Sequence, residues 1–100
     1  DVRDQVLGCV SALDKPESIG QRIQLGGIAP FSFDKAVPYM SERIGVPVIS
    51  ANVSGPPINF GFDLEKAERL IGFVPQFDVF RMIDDAIASR EGQELDIIPT

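Results

Sequence analysis

Apolar side chains recur at helical spacing from the first residues of the chain onwards. The first series follows an i, i+4, i+7, i+8, i+11 pattern, which places its members on one face of a helix: Val2, Val6, Cys9, Val10 and Leu13. Asp1 or Asp4 is suited to cap its start, and Pro16 ends it because proline disfavours helix in the residue before it. We therefore expect a helix over residues 1–14, with Cys9 as a small buried side chain on its apolar face.

A second helix is expected after Ser32, a residue type that commonly caps helices. Gly45 should end this helix, and its apolar face comprises Phe33, Val37, Met40 and Ile44. Pro38 falls inside the pattern, where a proline removes a backbone hydrogen bond at a cost of ~3 kcal/mol. The helix should therefore either bend at Pro38, or begin near Pro38 after a separate first turn at 32–37.

Two more helices are predicted in the second half of the chain. Asp63 caps the third, Gly72 closes it, and its inward positions are Leu64, Ala67, Leu70 and Ile71. Pro75 blocks any continuation of that helix. Asp78 caps the fourth, which has the clearest amphipathic stripe in the chain: Val79, Met82, Ile83, Ala86 and Ile87.

Two other segments have the pattern of short strands. Residues 21–25 alternate polar and apolar side chains before two glycines, and residues 46–49 contain valine, isoleucine and a proline typical of a sheet edge. Residues 50–62 are the longest irregular stretch, and loops of that length are often functional or disordered. The expected fold class is α/β, mostly helical with two or three short strands. Further strands would have to come from elsewhere, because two isolated strands do not form a stable sheet.

Composition narrows the classes of function. The 100 residues allow one modest domain, and 44% apolar with 24% charged residues is typical of a globular protein. A net charge of −6 disfavours binding to nucleic acid or to an anionic membrane surface. The single cysteine excludes an intrachain disulfide, and the lack of histidine removes the commonest metal ligand. The simplest placement is the cytoplasm.

Few side chains suggest chemistry of their own. Gly26-Gly27 fits a tight turn, because neither common phosphate-binding glycine motif is present. Lys35 and Tyr39 occur in the wrong order for a tyrosine–lysine acid/base pair and have ordinary surface spacing on a helix. Asp84-Asp85 is interpreted as part of a solvated helix face. The sequence therefore predicts no catalytic residue, no metal site and no cofactor site within this chain.

The order of the segments is more informative than any one of them, and it resembles the C-terminal third of the extended short-chain dehydrogenase/reductases. These proteins include the NAD-dependent epimerase/dehydratases that act on nucleotide sugars. The resemblance covers about residues 1–90, and its strongest local matches are the segments at 63–67 and 70–75. In chain order, the segments that carry it are Asp1-Val2-Arg3-Asp4, Leu13-Asp14-Lys15-Pro16, Leu25-Gly26-Gly27, Phe31-Ser32-Phe33, Ile44-Gly45-Val46-Pro47-Val48, Asp63-Leu64-Glu65-Lys66-Ala67 and Leu70-Ile71-Gly72-Phe73-Val74-Pro75.

The resemblance implies a division of the chain. Residues 1–27 would be the last helix and strand of a Rossmann part, 28–90 a substrate-binding subdomain, and 91–100 a tail. Asn59 and Phe60, in the long loop, would contact the substrate. The cofactor glycine motif and the Tyr-x-x-x-Lys pair of such proteins lie in their earlier part, so NAD or NADP is implied only for an intact parent.

The resemblance also implies partners and leaves alternatives open. The chain would be a non-catalytic, substrate-side fragment whose partners are the missing Rossmann part and a small-molecule substrate such as a nucleotide sugar. Val53 and Pro56 stand where family members that bind a nucleotide diphosphate commonly have an arginine and an acid. The guanidinium that would pair with the diphosphate is absent, so a related reductase remains open. Surface exposed by a missing part should drive homo-oligomerisation through the helix at 1–14 and the strand at 21–25. The alternative is a free-standing interaction or regulatory domain without enzymatic activity.

Overall fold

The computed structural model describes residues 1–52, 54–56 and 61–95. Four α-helices and a single-turn 3-10 helix at Pro16–Ser18 account for its regular structure. The α-helices are α1 (Val2–Leu13), α2 (Phe33–Ile44), α3 (Glu65–Ile71) and α4 (Val79–Arg90). All four predicted helices are therefore confirmed.

The expected α/β fold is wrong, because the described ranges contain helices and no β-strand. Residues 21–25 and 46–49, predicted as strands, have no regular secondary structure. Alternation of polar and apolar side chains indicates which side of a strand each residue would face. It does not supply the neighbouring backbone whose hydrogen bonds make an extended segment a strand.

Helix α1 begins where the sequence places a cap. The Asp1 carboxylate accepts a hydrogen bond from the backbone N–H of Arg3 at 2.8 Å. The same carboxylate pairs with the Arg3 guanidinium through Nε and Nη2, both at 2.9 Å. Of the two candidate caps, Asp1 therefore satisfies the first-turn amide, and Asp4 has a different role described below.

Helix α2 is continuous across Pro38, so the expectation that it begins near Pro38 is wrong. Its start follows Ser32, whose side chain makes no capping hydrogen bond. The helix ends at Gly45, which has the left-handed conformation (φ 69°) that glycine adopts without a steric penalty. Packing of α2 against α4 outweighs the unfavourable proline, since tertiary contacts supply most of the stability of short helices.

Helix α3 ends at Gly72 as the sequence indicates, but its N-cap residue is Leu64, one position after the predicted Asp63. The Asp63 carboxylate accepts a hydrogen bond from the backbone N–H of Glu65 at 2.9 Å, and thereby satisfies a donor that the helix leaves open. Gly72 ends the helix in the left-handed conformation, also with φ 69°. The following segment returns through Phe73, whose backbone N–H binds the carbonyl of Ala67.

The chain divides into two compact units. The first unit comprises residues 1–29 and 61–78, and the second comprises residues 30–60 and 79–100. The functional division that the resemblance implies, at residues 27 and 90, stays a prediction.

The core of the first unit lies between α1, α3 and the segments that follow them. Its buried members are Ala67, Ile71 and Phe73, and partly buried side chains pack around them: Ala12, Ile23, Leu25, Leu64 and Leu70. Gly8 allows α1 to approach this core closely. A Cβ atom at that position would lie 2.7 Å from Leu25 and 3.1 Å from Phe73, closer than ordinary van der Waals contact.

Candidate functional site

The two residues predicted to bind substrate lie outside the described residues. Asn59 and Phe60 fall within 57–60, so their role stays a prediction. Three features of the described residues are candidates for function. Two are polar arrangements, one in each unit, and the third is an apolar helix face in the first unit.

In the first unit, the carboxylate of Asp4 is the centre of a buried polar arrangement. Asp4 is 1% exposed, although it belongs to the first turn of α1. One carboxylate oxygen accepts the backbone N–H of Gln76 at 2.9 Å, and the other accepts the N–H of Phe77 at 3.2 Å. Asp4 thereby fixes the segment after Pro75 to the start of the chain, 72 residues away. Two charge-assisted hydrogen bonds offset the cost of removing the carboxylate from water.

Arg3 stabilises the same contact between the start of α1 and the segment after Pro75. Its guanidinium carbon lies 3.6 Å from the centroid of the Phe77 ring, within the range of a cation–π interaction. Asp1 holds that guanidinium in place through the ion pair described above. The Asp1-Val2-Arg3-Asp4 segment therefore has a structural role in the first unit: Asp1 caps α1, and Asp4 lies in its first turn.

In the second unit, Tyr39 of α2 is bound to α4. The Tyr39 hydroxyl donates to Oδ2 of Asp84 at 2.8 Å, and Nε of Arg43 donates to Oδ1 of the same carboxylate at 2.6 Å. The Arg43 guanidinium also lies over the Tyr39 ring, 3.4 Å from its centroid. Phe80 packs edge-on against that ring with a centroid separation of 4.8 Å. These contacts join the two helices of the unit.

The environment of Tyr39 favours the protonated form of its hydroxyl. The hydrogen bond to Asp84 raises the pKa of the phenol, and partial burial adds to the increase. Arg43 opposes the shift, because its positive charge favours the phenolate. The hydroxyl binds Asp84 rather than Lys35, in line with the interpretation that Lys35 and Tyr39 are not a catalytic pair.

The interpretation of Asp84-Asp85 as a solvated helix face is wrong for Asp85. That residue is 7% exposed, and its Oδ1 accepts a hydrogen bond from Nε of Arg81 one turn earlier at 2.8 Å. Asp84 remains partly exposed but is committed to Tyr39 and Arg43. Both carboxylates therefore bind other side chains of the protein, which their positions on an amphipathic helix did not indicate.

The apolar stripe of α1 faces away from the core of the first unit. We call Val2, Val6, Val10 and Leu13 the outer face of α1. They are 55%, 40%, 52% and 85% exposed, respectively. Cys9 is also exposed, so the expectation that it is buried is wrong. The inward face has Asp4 and Gly8 instead, because small side chains permit the close approach to Leu25 and Phe73.

Sequence reasoning missed the inward face of α1, although a signal was present. Asp4, Gly8 and Ala12 follow each other at intervals of four residues, which places them on one side of the helix. Short side chains at that spacing are compatible with close packing of this side of the helix against a core. The sequence does not indicate the partners of Asp4, because they are the backbone amides of residues 76 and 77, and a backbone amide does not depend on the type of side chain.

No group of three or more potential ligands is close enough to hold a metal ion in the described part of the chain. Within the same ranges, no helix combines the length and apolar character needed to cross a bilayer. Comparisons with protein-family models, with curated proteins and with solved structures find no match for this chain.

Proposed function

We propose that this chain is the substrate-side, C-terminal portion of an NAD(P)-dependent sugar epimerase/dehydratase or a related reductase, and that it does not catalyse the reaction alone. The basis of the proposal is the sequence resemblance over residues 1–90. The cofactor and the catalytic tyrosine would belong to the remainder of the parent protein, in the cytoplasm. Asn59 and Phe60 would contribute to binding a small-molecule substrate, such as a nucleotide sugar.

One observation about the fold carries most weight in support. Two segments of the resemblance, Asp1–Asp4 and Leu70–Pro75, lie far apart in the sequence, and both belong to the first unit. Asp4 accepts hydrogen bonds from the two backbone amides that directly follow Pro75. The start of the first segment is thereby bound to the residues that directly follow the second.

The chemistry of the described residues supports a non-catalytic role. Tyr39 is the only tyrosine of the chain, and its hydroxyl is held by Asp84 with a raised pKa. Position 43, four residues after Tyr39, holds an arginine instead of the lysine of a Tyr-x-x-x-Lys pair. The Arg43 side chain is paired with Asp84 as well, so both side chains are engaged in joining α2 to α4.

The test is the binding of NAD⁺ and NADP⁺ to the purified chain, followed by thermal unfolding and by titration calorimetry. A ligand present at 100 times its dissociation constant stabilises the folded state by about 2.7 kcal/mol, so binding would be visible as a higher melting temperature. We expect no concentration-dependent shift and no heat of binding with either dinucleotide. Saturable binding of either one would overturn the proposal, because a cofactor site would then exist within this chain.

A second candidate is a free-standing protein-interaction domain without enzymatic activity. The outer face of α1 favours it, since a row of four exposed apolar side chains is a common feature of surfaces that bind other proteins. Both candidates explain the exposed face, but they differ in the size of the native polypeptide. The first requires a longer protein that contains a cofactor-binding part, and the second requires none.

A further inference from the structure

We draw no further inference here: the strongest candidate, the outer face of α1 formed by Val2, Val6, Val10 and Leu13, carries none because nothing in the structure shows what covers it.

Discussion

The buried carboxylate of Asp4 stabilises the folded first unit through hydrogen bonds to the backbone. Both of its oxygens accept backbone N–H groups, from Gln76 and from Phe77. The substitution Asp4→Asn keeps the shape of the side chain but replaces one acceptor oxygen by an NH₂ group. One backbone amide then faces a donor, and we expect the free energy of unfolding to fall by about 1–3 kcal/mol. Urea unfolding followed by circular dichroism measures this loss.

The control for this substitution is the same chemical change at Asp14. That residue follows the last turn of α1 and is exposed to solvent. Because exposed substitutions away from special contacts alter stability by roughly 0.5 kcal/mol or less, Asp14→Asn should leave the unfolding midpoint almost unchanged. Equal midpoints for the Asp4→Asn variant and the unsubstituted protein would contradict the role assigned to Asp4.

For single residues, the sequence predicted roles that depend on partners nearby in the chain and missed roles that depend on partners far away in the chain. Asp1 caps α1 because its partner, the amide of Arg3, is two residues away. The partners of Asp4 and the packing of Gly8 are set by residues that meet only after folding. Cys9 was misplaced for the same reason, since periodicity identifies a helix face but does not establish which face is buried.

Between helices, the Tyr39–Asp84 hydrogen bond joins α2 to α4, and it should make their packing sensitive to alkaline pH. The pKa of Tyr39 in the folded protein is raised above its ordinary value of 10.0, chiefly by this hydrogen bond. The folded state therefore retains the phenol proton more strongly than the unfolded state. The resulting stabilisation is complete below about pH 10 and is lost as the pH rises through the folded-state pKa.

Tyr39 is the only tyrosine and the chain has no tryptophan, so the ultraviolet absorbance of the phenolate reports this group alone. We expect its titration midpoint to lie above 10.0 in the folded protein and to decrease in an Asp84→Asn variant. Tyr39→Phe should lower the melting temperature at neutral pH and reduce its decline in alkali. A midpoint at or below the ordinary value in the unsubstituted protein would contradict the expected increase in the pKa.

The elements themselves were predictable where their signals are local. Gly45 and Gly72 end α2 and α3 in the left-handed conformation, as their positions after the apolar stripes indicate. The strands were not predictable, because residues 21–25 and 46–49 have the right composition but lack pairing partners in the described ranges. Of the two alternatives for Pro38, the start of the helix near that residue is wrong, because the local cost of a proline does not include the contacts that Tyr39 makes with α4.

For the whole molecule, the exposed outer face of α1 agrees with the expectation that the helix at 1–14 carries exposed apolar surface. We expect the isolated chain to self-associate through this face, because exposed apolar patches drive association. The predicted contribution of a strand at 21–25 no longer applies, since that segment forms no strand. Val10→Glu places a charge in the middle of the face and should shift sedimentation towards the monomer.

Gln5→Glu is the matched control, because it adds the same charge at an exposed position of α1 that is not part of the outer face. It should leave association unchanged. If both variants reduce association equally, added net charge is the cause and the outer face has no special role. A monomer at every concentration of the unsubstituted protein would remove the prediction altogether.

For the molecule as a whole, the sequence predicted the candidate site only in part. Asn59 and Phe60 were assigned from a resemblance to proteins whose substrate loop has the same place in the chain order, and they lie outside the described residues. The lack of histidine and of a phosphate-binding glycine motif is visible in the sequence and led to the prediction that this chain alone is not catalytic. The identity of a substrate depends on side chains brought together from several segments, which local patterns do not specify.

The most direct test of the proposed function is the size of the native polypeptide. An antibody raised against the purified chain would identify that polypeptide in an extract of the cells that produce it, and mass spectrometry of the band would give its sequence. We predict a protein well above 10.9 kDa, with a glycine-rich cofactor motif and a Tyr-x-x-x-Lys pair before Asp1. A native polypeptide of 10.9 kDa, bounded by its own start and stop codons, would contradict it.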